Sequence, residues 1–267
     1  MALTVTILGC GSSGGVPRPG MGWGACNPAE PKNRRRRCSI LVERSGPGGT
    51  TSLIVDTSPD LREQLIDAKV TRLDAVLFTH DHADHTHGID DLRALVLHMR
   101  RRIPVHADER TSQSLASRFG YIFETPPGSY YPPILEMRPL AAGQALEIKG
   151  LGGPIAAMPF TVEHGLNYEA LGFRFGALAY LPDVSLLPQQ AADELVGLDT
   201  LILDCLRETP HPSHFHLEQS LATIAALKPK RTVLTNLHTD LDYASLSNRL
   251  RAGIEVAFDG MTLTAPG

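Results

Sequence analysis

Short apolar runs bounded by turn residues dominate this chain, and such runs predict buried strands. Leu3-Thr4-Val5-Thr6-Ile7-Leu8 alternates and predicts a first strand. Ser39 to Glu43 and Ser52 to Asp56 predict a strand pair around the turn cluster Gly46-Pro47-Gly48-Gly49. Further strands are predicted at 75–79, Leu171 to Phe175, Leu178 to Leu181, Thr200 to Cys205 and Arg231 to Asn236. Pro59 to Ala68 predicts a helix: Leu61, Leu65 and Ile66 recur at helical spacing, Pro59 suits a first turn, and Thr57 or Ser58 can cap it. Gly88 to Met99 predicts another, with Ile89, Leu92, Val96 and Met99 on one face, and Glu109 to Phe119 a third. Helices are also expected at 188–196, 217–227 and 243–251, and a long Pro- and Tyr-rich loop at 120–140. Both halves mix strands with helices and no linker divides them. The expectation is therefore one α/β domain over 1–267, with two sheets face to face and helices outside.

Two irregular segments interrupt the pattern early. Gly9-Cys10-Gly11-Ser12-Ser13-Gly14-Gly15-Val16-Pro17 is a glycine-rich loop, which lets backbone approach a ligand closely. It is no dinucleotide fingerprint, because no helix-forming segment follows. Residues 18–37 are rich in Pro, Gly and Arg and end in Arg34-Arg35-Arg36-Arg37. That run invites a phosphate or nucleic-acid reading, but the net charge of -4 gives no general basic field. The composition, 42% hydrophobic and 20% charged, is that of a globular protein. Cys10, Cys26, Cys38 and Cys205 form no CxxC pair and are expected to be free thiols in a reducing cytoplasm. There is no leader-like segment and no run near the roughly 18 apolar residues of a membrane span. A cytoplasmic location without membrane contact is expected.

The chemistry concentrates in His80-Asp81-His82-Ala83-Asp84-His85, directly after an apolar strand. Histidine and aspartate are costly to bury unless paired or bound to metal, and both are common ligands of zinc and its neighbours. Single residues at the ends of other apolar runs are candidate partners: His164 after Met158 to Glu163, Asp183 after Leu178 to Pro182, and His238 after Val233 to Leu237.

His80-x-His82-x-Asp84-His85 with later His164, Asp183 and His238 resembles the metallo-β-lactamase superfamily pattern, over nearly the whole chain. The resemblance implies an αββα sandwich of two mixed β-sheets flanked by helices, holding two divalent metal ions. His80, His82 and His164 would hold one ion, Asp84, His85 and His238 the other, and Asp183 would bridge them. The nitrogen and oxygen donor set suits zinc, manganese or iron.

Within that superfamily the opening loop resembles the GTGxxxGVP loop of a phosphodiesterase branch. The similarity extends to Arg34 to Ser39 and to Glu255-Val256-Ala257-Phe258-Asp259-Gly260-Met261. The group that it resembles in this way is the phosphoribosyl 1,2-cyclic phosphate phosphodiesterases of the carbon–phosphorus lyase pathway. Those proteins carry a structural zinc on a CxCxxC run. Here the matching positions are Met21, Trp23 and Cys26, so no structural zinc is expected. Where they read THxSH, this chain reads Thr235-Asn236-Leu237-His238. An ungapped match places the ligand at Asn236, and His238, two residues on, is the favoured alternative.

The implied activity is hydrolysis of a small cyclic or nucleotide-like phosphodiester through a metal-bridging hydroxide. Asp84, His214 and His216 are the catalytic candidates. His214 or His216, in the segment before the 217–227 helix, would assist the leaving group while the other orients it or caps that helix. A tRNA 3′-processing-type nuclease, a thioester hydrolase and a non-catalytic metal-binding member are the alternatives. The expected partner is the small phosphodiester, with nucleic acid disfavoured, no membrane, and room for a homodimer.

Overall fold

The computed structural model describes residues 2–266. Fourteen strands form two seven-stranded sheets. The first contains β1 (Ala2–Gly9), β2 (Ser39–Gly46), β3 (Gly49–Val55), β4 (Ala75–Leu77), β5 (Ile103–Ala107), β6 (Leu135–Pro139) and β14 (Thr262–Pro266), in the order β14-β1-β2-β3-β4-β5-β6. The second contains β7 (Leu146–Ile148), β8 (Ile155–Glu163), β9 (Glu169–Phe175), β10 (Leu178–Leu181), β11 (Thr200–Asp204), β12 (Arg231–Thr235) and β13 (Ile254–Val256), in sequence order. Both sheets are mixed. β3 to β6 run parallel, as do β10 to β13, and the remaining neighbours pair antiparallel.

Strand periodicity explains the layers. Val5 and Ile7, Ile40 and Val42, Leu53 and Val55, and Ala75 and Leu77 share one core with Phe173, Phe175, Leu201 and Leu203 of the other sheet. The intervening Leu41, Ile54, Val76 and Phe78 belong to a second core. There they meet helices α1 (Leu61–Asp67), α3 (Arg93–Met99) and α4 (Glu109–Phe123) through Leu61, Leu65, Leu95, Val96 and Leu115. Each such side chain contributes about 1.5–3 kcal/mol when fully buried, so a one-residue slip in any central strand would forfeit several at once. On the far side, Leu195, Leu217, Ile224 and Leu246 pack on the second sheet. Leu217 and Ile224 lie on α6 (Leu217–Leu227) and Leu246 on α7 (Tyr243–Arg249), while Leu195 ends α5 (Gln189–Glu194). Among the described residues no helix is long and apolar enough to cross a membrane.

Some expectations shift. The segment 120–140 is not one loop, since it holds the end of α4 and the strand β6. Phe119 takes a non-helical conformation (φ -130°, ψ 28°), but the helix resumes beyond it to Phe123. The helix expected over Gly88 to Met99 is a 3-10 turn at Ile89–Leu92 followed by α3.

Parallel strands leave their carboxyl ends on one edge of a sheet, where loops converge. The hexapeptide follows β4, and its Ala83–Thr86 portion forms the one-turn helix α2. Asp56 follows β3, His164 follows β8, Asp183 follows β10, Asp204 ends β11 and Asn236 follows β12.

Candidate metal centre and cavity

The loops after β4, β8 and β10 bring five predicted ligands together. His80, His82 and His164 form one group of converging donors, and His80, His85 and Asp183 another. A third joins His164 and Asp183 to His214. Distances within the cluster bracket those of ligands around a metal. His85 Nε2 lies 3.0 Å from Asp183 Oδ2 and 3.5 Å from Asp84 Oδ2, and His164 Nε2 lies 3.9 Å from Asp183 Oδ1. With ligand bonds of about 2.0–2.2 Å, two donors on one tetrahedral ion sit roughly 3.3–3.6 Å apart.

The rings are held in the tautomer a metal needs. The Thr79 hydroxyl donates to Asp56 Oδ2 (2.8 Å) and so accepts from His80 Nδ1 (2.9 Å). His80 Nε2 is then a buried lone pair with no hydrogen-bond partner. His85 Nδ1 donates to Asp56 Oδ2 (2.8 Å), and His164 Nδ1 donates to the Ser213 carbonyl (2.7 Å). Each ring thus presents Nε2 to the centre, with an anchored Nδ1 behind it. Tyr168 stacks on His82 (4.7 Å between centroids, 18° between planes) while its hydroxyl donates to Asp81. Asp81 also binds Arg118, so it faces away from ligation.

Electrostatics point the same way. Burial pushes His80 well below the usual imidazole range, in its neutral ligand form. Burial also pushes His85 down, but the carboxylates of Asp183, Asp84 and Asp56 outweigh it and hold that ring well above the usual range. Asp183 is held well below the carboxylate range, against burial, by His85, His164 and His214. Carboxylates gathered around buried rings make a cation receptor. The orphaned Nε2 of His80 and this charge pattern both fit divalent metal.

His214 Nδ1 donates to Asp204 Oδ2 at 2.9 Å, leaving Nε2 as its free nitrogen. Burial lowers His214, but Asp204, aided by Asp183, pushes it up to about 9. His216 does not line the cavity: it caps α6, where its ring meets the Gln219 side chain.

The end of β12 departs from the expected ligand set. His238 joins none of the donor groups among the described residues. Its Nε2 lies 2.6 Å from Arg18 Nη1 and its Nδ1 3.3 Å from Asp240 Oδ1. Asn236 turns inward instead, with Nδ2 3.0 Å from Asp204 Oδ1 and 3.3 Å from Asp183 Oδ1. Asn236 adopts φ 61° and Asp56 φ 66°, left-handed conformations that Asn and Asp tolerate best among side-chain-bearing residues.

A cavity of about 290 Å³ opens over the cluster, lined by Ser12, Ser13, Arg18, His82, Asp84, His164, Asp183, Arg207, His211, His214 and His238, with Leu206 and Ser213. The arginine run does not reach it. Arg35 is buried and donates to the carbonyls of His238 (3.2 Å) and Leu241 (2.7 Å). Arg36 pairs with Asp259 and Asp67, and Arg37 with Asp60. Tyr121, Tyr130 and Tyr131 are exposed and do not line the cavity either. Asp56, Asp204 and Arg18 are site residues that sequence reasoning missed. The first two carried a signal, a carboxylate ending an apolar strand, and Arg18 carried none.

Comparison with known proteins places this geometry in context. The family profile described as the Beta-lactamase superfamily domain matches residues 51–236. A solved structure of a new diphosphatase from the PhnP family is 37% identical, with a TM-score of 0.88 over 99% of this chain and 98% of that one. An octanoyltransferase of Porphyromonas gingivalis is 31% identical over 260 residues, which are 96% of this chain and 50% of that protein. This chain thus spans about half the length of that relative. Zinc-bound PqqB from Methylobacterium extorquens, 22% identical with a TM-score of 0.72 over 97% of this chain and 99% of that one, shares the fold.

Proposed function

Because the chain belongs to the metallo-β-lactamase superfamily, we propose that it is a metal-dependent phosphodiesterase acting on a small phosphodiester. The observation that carries this reading is the convergence of the donor cluster with His214, backed by Asp204, on one cavity wall. Similarity to a diphosphatase of the PhnP family supports a phosphoryl-containing substrate.

His80, His82, His164 and Asp183 would hold one ion, and Asp84, His85 and Asp183 a second. Bound ions supply Lewis-acid stabilisation of charge on the phosphoryl oxygens and a nucleophile at neutral pH. The chain's own groups do the rest. Asp56, Thr79 and the Ser213 carbonyl fix the histidine rings. Asp204 keeps a proton on His214 Nδ1 and stabilises the imidazolium, so that Nε2 can carry a proton to the departing oxygen. His216, committed to the start of α6, takes no part in that transfer. The commitment of Arg35, Arg36 and Arg37 to internal partners argues against a nucleic-acid substrate.

The test is turnover of bis(p-nitrophenyl) phosphate by purified protein supplied with Mn²⁺ or Zn²⁺. Metal-dependent release of nitrophenol, abolished by chelator, is expected. A protein that holds metal and turns over no phosphodiester would overturn the reading.

A further inference from the structure

The donors His80, His82 and His164 are not held alike. His80 and His164 are buried, each with an anchored Nδ1. His82 is exposed, and its Nδ1 turns to the centre, 3.3 Å from His164 Nε2. Among the described residues no hydrogen bond anchors the other nitrogen of that ring. What covers it is Tyr168, whose ring lies on His82 at 4.7 Å between centroids and 18° between planes. Tyr168 also meets His80 edge-on at 6.0 Å and His164 at 5.7 Å. One side chain thus touches all three histidines of this group. It closes their loop as well, since the His164 N–H donates to the Tyr168 carbonyl at 2.8 Å. His85, on the other side of the cluster, is held separately by Asp56.

Tyr168 is itself gripped from α4. Its hydroxyl donates to Asp81 Oδ1, and the Arg110 guanidinium carbon sits 3.9 Å from its ring centroid. His82 occupies one face of the phenol, so the guanidinium covers the other. Arg110, Ser114 and Arg118 stand four residues apart on α4, the spacing that lines side chains along one helix face. All three reach Asp81. Arg118 Nη1 donates to its carbonyl at 2.6 Å and Nη2 to its Oδ2 at 3.4 Å. Ser114 hydrogen-bonds the same carboxylate, and Arg110 Nε lies 3.9 Å from Oδ1. The carboxylate also offsets two guanidiniums that would otherwise repel a dication nearby.

We propose that Tyr168 is a positioning residue that sets the ring of His82 for one of the two ions, and that the α4 stripe of Arg110, Ser114 and Arg118 holds it there through Asp81. The stack does for the exposed His82 what a hydrogen bond on Nδ1 does for the buried rings. The inference rests on the metal-binding half of the proposed function and not on its substrate. Because His85 is anchored by Asp56 instead, loss of the stack reaches one ion and spares the other.

Metal-free protein is titrated with Zn²⁺ under chelator competition, and the visible absorption of the Co²⁺-loaded protein reports coordination geometry. In Tyr168→Leu one of the two binding constants is expected to weaken about 10–100-fold and the other to stay within threefold. The Co²⁺ bands should change shape, which a loss of general stability would not cause. Tyr168→Phe keeps the stack and should rescue both the constant, to within threefold of the wild type, and the spectrum. Arg110→Ala, at an exposed position, should weaken the same constant about two- to fivefold. Unchanged constants in Tyr168→Leu, or an equal fall in both, overturn the inference. Should Tyr168→Leu fail to fold by thermal melt, Arg110→Ala decides, and no change there overturns it. Absent turnover of bis(p-nitrophenyl) phosphate would sink the substrate reading alone, because the titration contains no substrate.

Discussion

Asn236→His tests how evenly the cluster divides between two ions. Asn236 stands where the end of β12 faces Asp183, and it offers an amide rather than an imidazole. His238 is turned to Arg18. The second ion would then rest on Asp84, His85 and Asp183 alone, while the first has His80, His82, His164 and Asp183. A four-ligand structural zinc site binds with roughly 10–16 kcal/mol, about 3 kcal/mol per ligand, so one missing imidazole weakens a site on the order of 100-fold. Wild-type protein is therefore expected to bind one ion tightly and a second about 100-fold more weakly. Asn236→His should pull the second constant toward the first. The substitution also removes the amide donated to Asp204 Oδ1 at 3.0 Å and places histidine at φ 61°. It should cost about 1–2 kcal/mol of metal-free stability, which separates the metal effect from a general improvement. Metal-free protein is titrated with Zn²⁺ by calorimetry under chelator competition, with Asn236→Ala as the control. Two constants within threefold in the wild type, unchanged in Asn236→His, would refute the argument and show that His238 leaves Arg18 to ligate.

What the sequence discloses about this site follows from how local each signal is. The hexapeptide is legible because five polar groups stand within six residues behind an apolar strand, an arrangement no packing role explains. His164 and Asp183 are legible for a related reason: strand ends deliver side chains to one edge of the fold. Asp56 and Asp204 sit at equally good positions, yet a lone carboxylate after a strand has many uses. Their partners, His85 and His214, lie 29 and 10 residues away, and nothing in the intervening sequence announces the pairing. The Arg18–His238 contact spans 220 residues. Arg34 to Arg37 shows the converse, since its charge looks like a ligand surface and the fold turns it into internal bracing. The central strands were legible from period and apolarity. β7 and β13, of three residues each, and β6, three of whose five residues are exposed, carry no usable period, and pairing with a longer neighbour decides them.

The remaining predictions concern residues around the cluster and one in the core. His214→Ala should lower kcat on bis(p-nitrophenyl) phosphate by about 10²–10⁴-fold with metal content unchanged by elemental analysis; loss of an ion would make His214 a ligand instead. Asp56→Ala frees the Nδ1 of His85 and removes an acceptor from Thr79, and should weaken metal binding about 10–100-fold in the same titration. His106, in β5, tests the linkage of pH to stability away from the metal. It is buried, its Nδ1 has no partner, and burial together with Arg138 lowers its pKa to about 4. Between about pH 6.5 and 4 the unfolded chain binds a proton there that the folded one refuses. Its contribution is thus complete above pH 6.5 and is lost as the pH falls toward 4. Each pKa unit is worth about 1.4 kcal/mol, and discounting for solvent screening leaves a loss of about 2 kcal/mol. His106→Gln carries no titrating group, so urea unfolding at pH 7 and pH 4.5 should show a smaller acid loss in the variant than in the wild type. Equal losses in the two proteins would mean that the buried ring accepts its proton at no cost, and that its environment is wetter than its burial implies.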